Sequence, residues 1–134
     1  MGIYLLDTNI CIYILKQKPI VVLQKFQTID PKTICISSIT VAELMFGINK
    51  SSSPDKNLLA VNEFLNLVKI LNFDQSAAIQ YGIIKNALQS KGTPIGPLDT
   101  LIAAHAKNLN AILVSNNLKE FNRVDGLITE NWIE

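Results

Sequence analysis

Ile3-Tyr4-Leu5-Leu6-Asp7-Thr8-Asn9 is the stretch that decides the fold. Four apolar residues run straight into Asp-Thr-Asn. The run is too short for a helix, and its unbroken apolar content suits a strand buried on both faces. Asp, Thr and Asn then end the strand and offer a cap for a following helix. A carboxylate, Asp7, therefore stands at the C-terminal end of a central strand. In open parallel α/β sheets, ligands bind at that edge.

Working outward, helix-like and strand-like stretches alternate. Thr8 to about Leu15 has helical spacing, capped by Asp7 or Thr8. Pro19 suits the first turn of a second short helix, Ile20 to Phe26. Thr33 to Ser37 reads as a second buried strand, and Ser38 to about Asn49 as the next helix. Asn57 to Val68 is helical, with Leu58, Leu59, Val61, Phe64, Leu65 and Val68 on one face. Lys69 to Phe73 is a short third strand, after which Asp74 caps a helix from Gln75 to about Ser90. A rigid loop, Thr93 to Pro97, leads into a mostly apolar helix reaching Asn108. Ala111 to Ser115 is the fourth strand, Lys119-Glu120-Phe121 a short turn or helix, and Leu127-Ile128-Thr129 a fifth strand at the edge. Trp132 packs the C-terminus down. This alternation predicts a parallel sheet with helices on both faces.

The chain of 134 residues suits one compact domain over 1–134. Hydrophobic residues make up 49% and charged residues 17%, enough for a core and against disorder. No apolar run approaches the roughly 20 residues needed to span a bilayer. The N-terminus has no basic region ahead of an apolar one, so a cytoplasmic protein is expected. Net charge is +1, which argues against gripping long nucleic acid by bulk electrostatics. Lys16, Lys50 and Lys119 are the cations nearest the expected site. Cys11 and Cys35 both lie among isoleucines and read as small buried hydrophobes. With one histidine, His105, no His/Cys zinc set can be built.

Among eleven Asp and Glu residues, three sit in apolar contexts: Asp7, Glu43 in Val-Ala-Glu-Leu, and Asp99 in Pro-Leu-Asp-Thr-Leu-Ile. Each has a plain structural explanation. Asp7 is a natural N-cap, Thr40 to Glu43 matches a capping box, and Asp99 suits the first turn of a helix. Taken together they say more. Each falls at a junction leading into a helix, and Asp7 and Glu43 follow strands one and two onto the same rim. Pattern alone does not bring Asp99 there. Carboxylates sharing a site repel and raise one another's pKa, and a divalent cation removes that cost. Oxygen-only ligands favour Mg²⁺ or Mn²⁺ over zinc. Glu120 follows strand four onto the same rim and reads equally well as an exposed acid beside Lys119 and Arg123. Asn9, Ser115, Asn116 and Asn117 are either supports for the carboxylates or ordinary turn and cap residues. His105, six residues after Asp99, falls on another helical face and reads as a packing residue.

The segments Leu5 to Asn9, Ser37 to Gly47, Gly92 to Asp99 with Ile102 to Ala106, Leu113 to Asn117 with Glu120-Phe121, and Arg123 to Trp132 are similar, in order, to PIN-domain ribonucleases. More narrowly they resemble the VapC-type toxins of type II toxin–antitoxin pairs. The resemblance implies a three-layer α/β/α sandwich on a short, mostly parallel sheet. It implies Mg²⁺- or Mn²⁺-dependent cleavage of RNA, with tRNA as the substrate by analogy. Asp7, Glu43 and Asp99 would then surround the metal, which supplies the convergence of Asp99. It further implies a VapB-like antitoxin and a homodimer, with the apolar face of Asn57 to Val68 as a contact surface or ordinary core. One departure stands out. Many PIN domains carry Asp just after the fourth strand, where this chain has Asn117, and Glu120 is the candidate substitute. Two other readings remain open at this level: a metal-dependent nuclease acting on DNA, and a catalytically silent binding module of the same fold.

Overall fold

The computed structural model describes residues 2–133; the two ends of the domain expected over 1–134 lie outside it. Five short strands form one sheet: β1 (Tyr4–Leu6), β2 (Ile34–Ser37), β3 (Lys69–Leu71), β4 (Ile112–Val114) and β5 (Ile128–Glu130), in the order β3-β2-β1-β4-β5. All four pairings are parallel. Leu5 of β1 stands beside Cys35 of β2 and Leu113 of β4, so the quoted stretch is the central strand. The chain builds outward from β1 to β3, then crosses back to lay β4 and β5 on the other side. The strand order therefore reverses between β1 and β4, and the crevice beyond their C-terminal ends is the favoured ligand position of such sheets.

Alternation along β1 sends its leucines into two different cores. Leu6 packs with Ile10, Ile14, Val22, Leu44, Ile48, Val61 and Phe64, from helices α1 (Thr8–Lys16), α2 (Ile20–Thr28), α3 (Ser38–Lys50) and α4 (Pro54–Leu65). Leu5 packs with Ile84, Leu88, Ile102, Ala103 and Phe121, from α5 (Gln75–Ser90), α6 (Pro97–Leu109) and the single turn α7 (Leu118–Phe121). Helices thus cover both faces of the sheet, giving the expected α/β/α sandwich. Among the described residues no helix is long and apolar enough to cross a membrane.

Several boundaries differ from the expectation for local reasons. Pro19 lies just outside α2 as its N-cap instead of within the first turn, and α2 continues to Thr28. Thr33 ends a 3₁₀ turn (Pro31–Thr33) that Asp30 caps, so β2 begins one residue later. Pro54, at the first helical position, starts α4 before Asn57, and the helix stops at Leu65. The apolar face assigned to this segment divides: Val61 and Phe64 are core, whereas Leu58 and Leu59 remain exposed. Asp74 caps α5 through the Ala77 N–H at 3.0 Å, as its position suggested. Cys11 and Cys35 are both buried and free, and Trp132 is buried against the Leu6 side.

Candidate active site

Asp7 is the N-cap of α1. Its Oδ1 accepts the Ile10 N–H at 2.9 Å, while its own N–H donates to the Val114 carbonyl at 3.0 Å. The first bond ties the carboxylate to the helix and the second ties its backbone to β4. Only 5% of Asp7 is exposed. Burial pushes its pKa up, against the opposing pull of the Ser115 hydroxyl and the Ile10 and Asn9 N–H groups, and the Glu43 charge pushes it up further. The N-cap of α1 is therefore also a buried carboxylate of the candidate site.

Glu43 lies in the second turn of α3. The capping box expected of Thr40 to Glu43 does not form, because Ser37 is the N-cap and accepts the Ile39 N–H at 3.0 Å. The side chain is free to serve the rim. Its Oε1 accepts the Thr8 hydroxyl at 2.7 Å, which connects α1 to α3 across the first two strand-to-helix junctions. Thr8 also approaches the buried Thr40 hydroxyl at 3.4 Å. Neither threonine stands out in the sequence as part of a site. The signal for Thr8 is its place directly after Asp7, where helix geometry turns it toward the next junction.

Asp99 occupies the first turn of α6, which starts at Pro97 behind the Gly96 cap. Its pKa is raised to about 7 by burial first, then by its bond with Glu120 and by the charges of Glu120, Asp7 and Glu43. The helix from the opposite layer thus delivers its acid to the same electrostatic neighbourhood as the other three. Glu120, on α7, is shifted the other way by its bond with Asp99, by Asn117 and by Arg123. The two carboxyls therefore titrate as a pair.

Asn117 joins these two acids. Its Nδ2 donates to Glu120 Oε2 at 2.8 Å and approaches Asp99 Oδ2 at 3.4 Å. Its backbone N–H donates to the buried Ser115 Oγ at 2.9 Å. Where the resemblance implied an acid just after the fourth strand, Asn117 supplies an amide that gathers two other acids. Asn116 faces elsewhere and donates to the Tyr13 hydroxyl at 2.9 Å. Asn9 is exposed, and it reaches Asp7 only through its backbone N–H. His105 is buried behind the sheet, with Nδ1 2.8 Å from Ser37 Oγ and its ring edge-on to Phe73. It is a packing residue, and burial holds its pKa below the ordinary value.

Among the described residues, none of the four acids forms an ion pair; the one such pair joins Lys91 and Asp125. Nor do any three Asp, Glu, His or Cys side chains enclose a ready metal cage. The rim is oxygen-only and anionic. Beside it, a largely apolar cavity of about 270 Å³ runs between α1, α3 and α4, with Glu43, Gly47 and Lys16 in its lining.

The PIN domain family matches residues 4–127. The chain is 43% identical to the tRNA(fMet)-specific endonuclease VapC of Shigella flexneri, over 96% of this chain and 97% of that one. It is 47% identical to ribonuclease VapC2 of Haemophilus influenzae, over 97% and 98%. Its structure superposes on the DNA-bound VapBC crystal structure from Salmonella typhimurium with a TM-score of 0.92 at 42% identity, covering 98% of this chain and 99% of that one. The chain belongs to the PIN-domain family and, within it, to the VapC ribonucleases.

Proposed function

We propose that this protein is an endoribonuclease, the toxin of a type II toxin–antitoxin pair, with tRNA as its substrate and a VapB-like antitoxin as its inhibitor. The observation that carries the reading is the meeting of Asp7, Glu43, Asp99 and Glu120 at one sheet edge with no cation paired to them. The tRNA(fMet)-specific relative and the VapBC complexes among similar structures support the substrate and the partner. The whole chain acts as one nuclease domain, in the cytoplasm and as a homodimer.

PIN-domain nucleases in general depend on divalent metal ions. The residues here fit such an ion. The donors are all carboxylate oxygens and they repel one another, a set that suits a hard divalent cation such as Mg²⁺ or Mn²⁺. Asp7 and Asp99 would hold it directly, and Glu43 directly or through water. When bound, the ion supplies Lewis-acid stabilisation for charge developing on the phosphate and makes water acidic enough to attack. Glu43, oriented by Thr8, or Glu120, oriented by Asn117, would orient the attacking water and take its one proton. In-line attack on phosphorus would break the bond to the 3′ oxygen, which takes up a proton from solvent water, leaving a 3′-hydroxyl and a 5′-phosphate.

The test is incubation of the partner-free chain with total tRNA in Mg²⁺, in Mn²⁺ and in EDTA. Discrete fragments that require metal and carry 5′-phosphates are expected. Folded protein that leaves tRNA intact in both metals, or cuts equally well in EDTA, would overturn the assignment.

A further inference from the structure

Phe46 lies outside the set of acids and their hydrogen-bond partners. It is 67% exposed, although α3 has a core face available and uses it for Leu44 and Ile48. Phe46 follows Glu43 by three residues and Lys50 by seven, so all three share one face of α3. Three residues is a rise of about 4.5 Å, less than one turn. Lys50 Nζ stands 5.4 Å from the centroid of the Phe46 ring. Gly47, next to the ring on the same face, has open space where a Cβ would be and borders the cavity that reaches Glu43. Going outward from the carboxylates, α3 therefore presents an acid, an exposed aromatic ring beside a bare glycine, and a cation.

Resting on the ribonuclease reading above, we propose that Phe46 and Lys50 form a substrate subsite in which the ring stacks on an unpaired nucleobase flanking the scissile phosphate while Lys50 contacts the adjoining RNA backbone. An aromatic ring with a neighbouring ammonium group matches the two halves of a nucleotide, a π-face and a phosphate. Lys50 has no carboxylate partner among the described residues, so its charge is available to an anion. The chain has no bulk positive charge with which to hold RNA, so local contacts of this kind carry more of the binding. A base on this ring would lie one helical turn from Glu43, where the flanking nucleotide of a cleaved strand must run. Stacking selects an unpaired base over a paired one and discriminates little among base identities.

The experiment measures tRNA cleavage kinetics for the wild type, Phe46→Ala, Phe46→Trp and Lys50→Ala. Binding of a short single-stranded oligoribonucleotide is measured in parallel in the Asp99→Asn background. Phe46→Ala is expected to raise KM and the dissociation constant about 5- to 150-fold, the span of one lost base stack, with kcat nearly unchanged. Phe46→Trp is expected to restore binding, and its added indole fluorescence to be quenched by the RNA. Lys50→Ala is expected to lower the salt dependence of binding by about 0.7 in the log–log slope. Wild-type cleavage with KM unchanged in Phe46→Ala would overturn the subsite alone. Phe46→Ala that binds RNA normally but loses its antitoxin would assign the ring to the protein partner instead. Absence of wild-type cleavage would overturn the ribonuclease reading and the subsite with it.

Discussion

Asp99→Asn is expected to lower the rate of RNA cleavage by on the order of 10³-fold, the scale seen when a preorganised electrostatic group is removed from a catalytic site. The substitution keeps shape and removes one charge. Asn at 99 still accepts from Asn117 Nδ2, so the local contacts survive. What is lost is a carboxylate of the acidic rim, and with it, in the proposed site, a direct ligand for the cation. Stability is expected to move the other way. Asp99 is held near pH 7 by burial and by three neighbouring acids, so its ionised form is disfavoured in the folded chain. In EDTA at pH 8, Asp99→Asn is therefore expected to be about 1 kcal/mol more stable than wild type, after allowance for solvent screening. Denaturant melts and single-turnover cleavage, run on the same preparations, check both halves. An inactive variant that is also strongly destabilised would mean that Asp99 is structural.

The metal-free protein is expected to lose stability as pH rises from about 4 to about 7. The sign follows from the direction of the shift. Asp99 rises from 3.8 unfolded to about 7 folded, so between those values the folded chain keeps a proton that the unfolded chain has released. Raising pH then favours the unfolded state. Asp7 is also raised and contributes with the same sign. Glu120 is lowered, so its contribution is lost only as pH falls below the ordinary glutamate range. The expected change is about 1–2 kcal/mol, seen as a falling melting temperature in EDTA across this range. Asp99→Asn should flatten most of it. Mn²⁺ added at pH 7.5 should restore the wild type and do much less for the variant. A wild-type melting temperature that climbs steadily from pH 4 to 7 in EDTA would refute the crowding of carboxylates on which the site rests.

Most of the fold was legible because β1 is informative. An apolar run that ends in Asp-Thr-Asn fixes a two-sided strand and the helix after it, and the repeats of that pattern at Ser37 and Ser115 fix the sheet. Helix starts at Asp74 and Pro97 were readable from their cap chemistry. The less legible boundaries were those set by tertiary contacts, such as the end of α4 at Leu65 and the late start of β2 behind a 3₁₀ turn. The four acids were individually ambiguous because Asp7, Glu43 and Asp99 also make sense as helix-start residues and Glu120 as an exposed acid on a turn. Asp7 is the cap of α1 and at the same time one of the acids of the rim. Glu43 is no cap at all, because Ser37 takes that role and frees it to meet Thr8. The approach of Asn117 to Asp99 and the link from Thr8 to Glu43 join residues on different helices. Periodicity and spacing carry no signal for such contacts; they exist only once the two helical layers close on the sheet.

The most direct test of the central claim is a calorimetric titration of the folded, partner-free chain with Mn²⁺ at pH 7.5, beside Asp99→Asn. Saturable binding by the wild type, with release of protons to the buffer and affinity at least about tenfold above the variant, is the expected result. Binding that is absent from folded wild-type protein, or identical in the two, would contradict a divalent-cation site built from these acids.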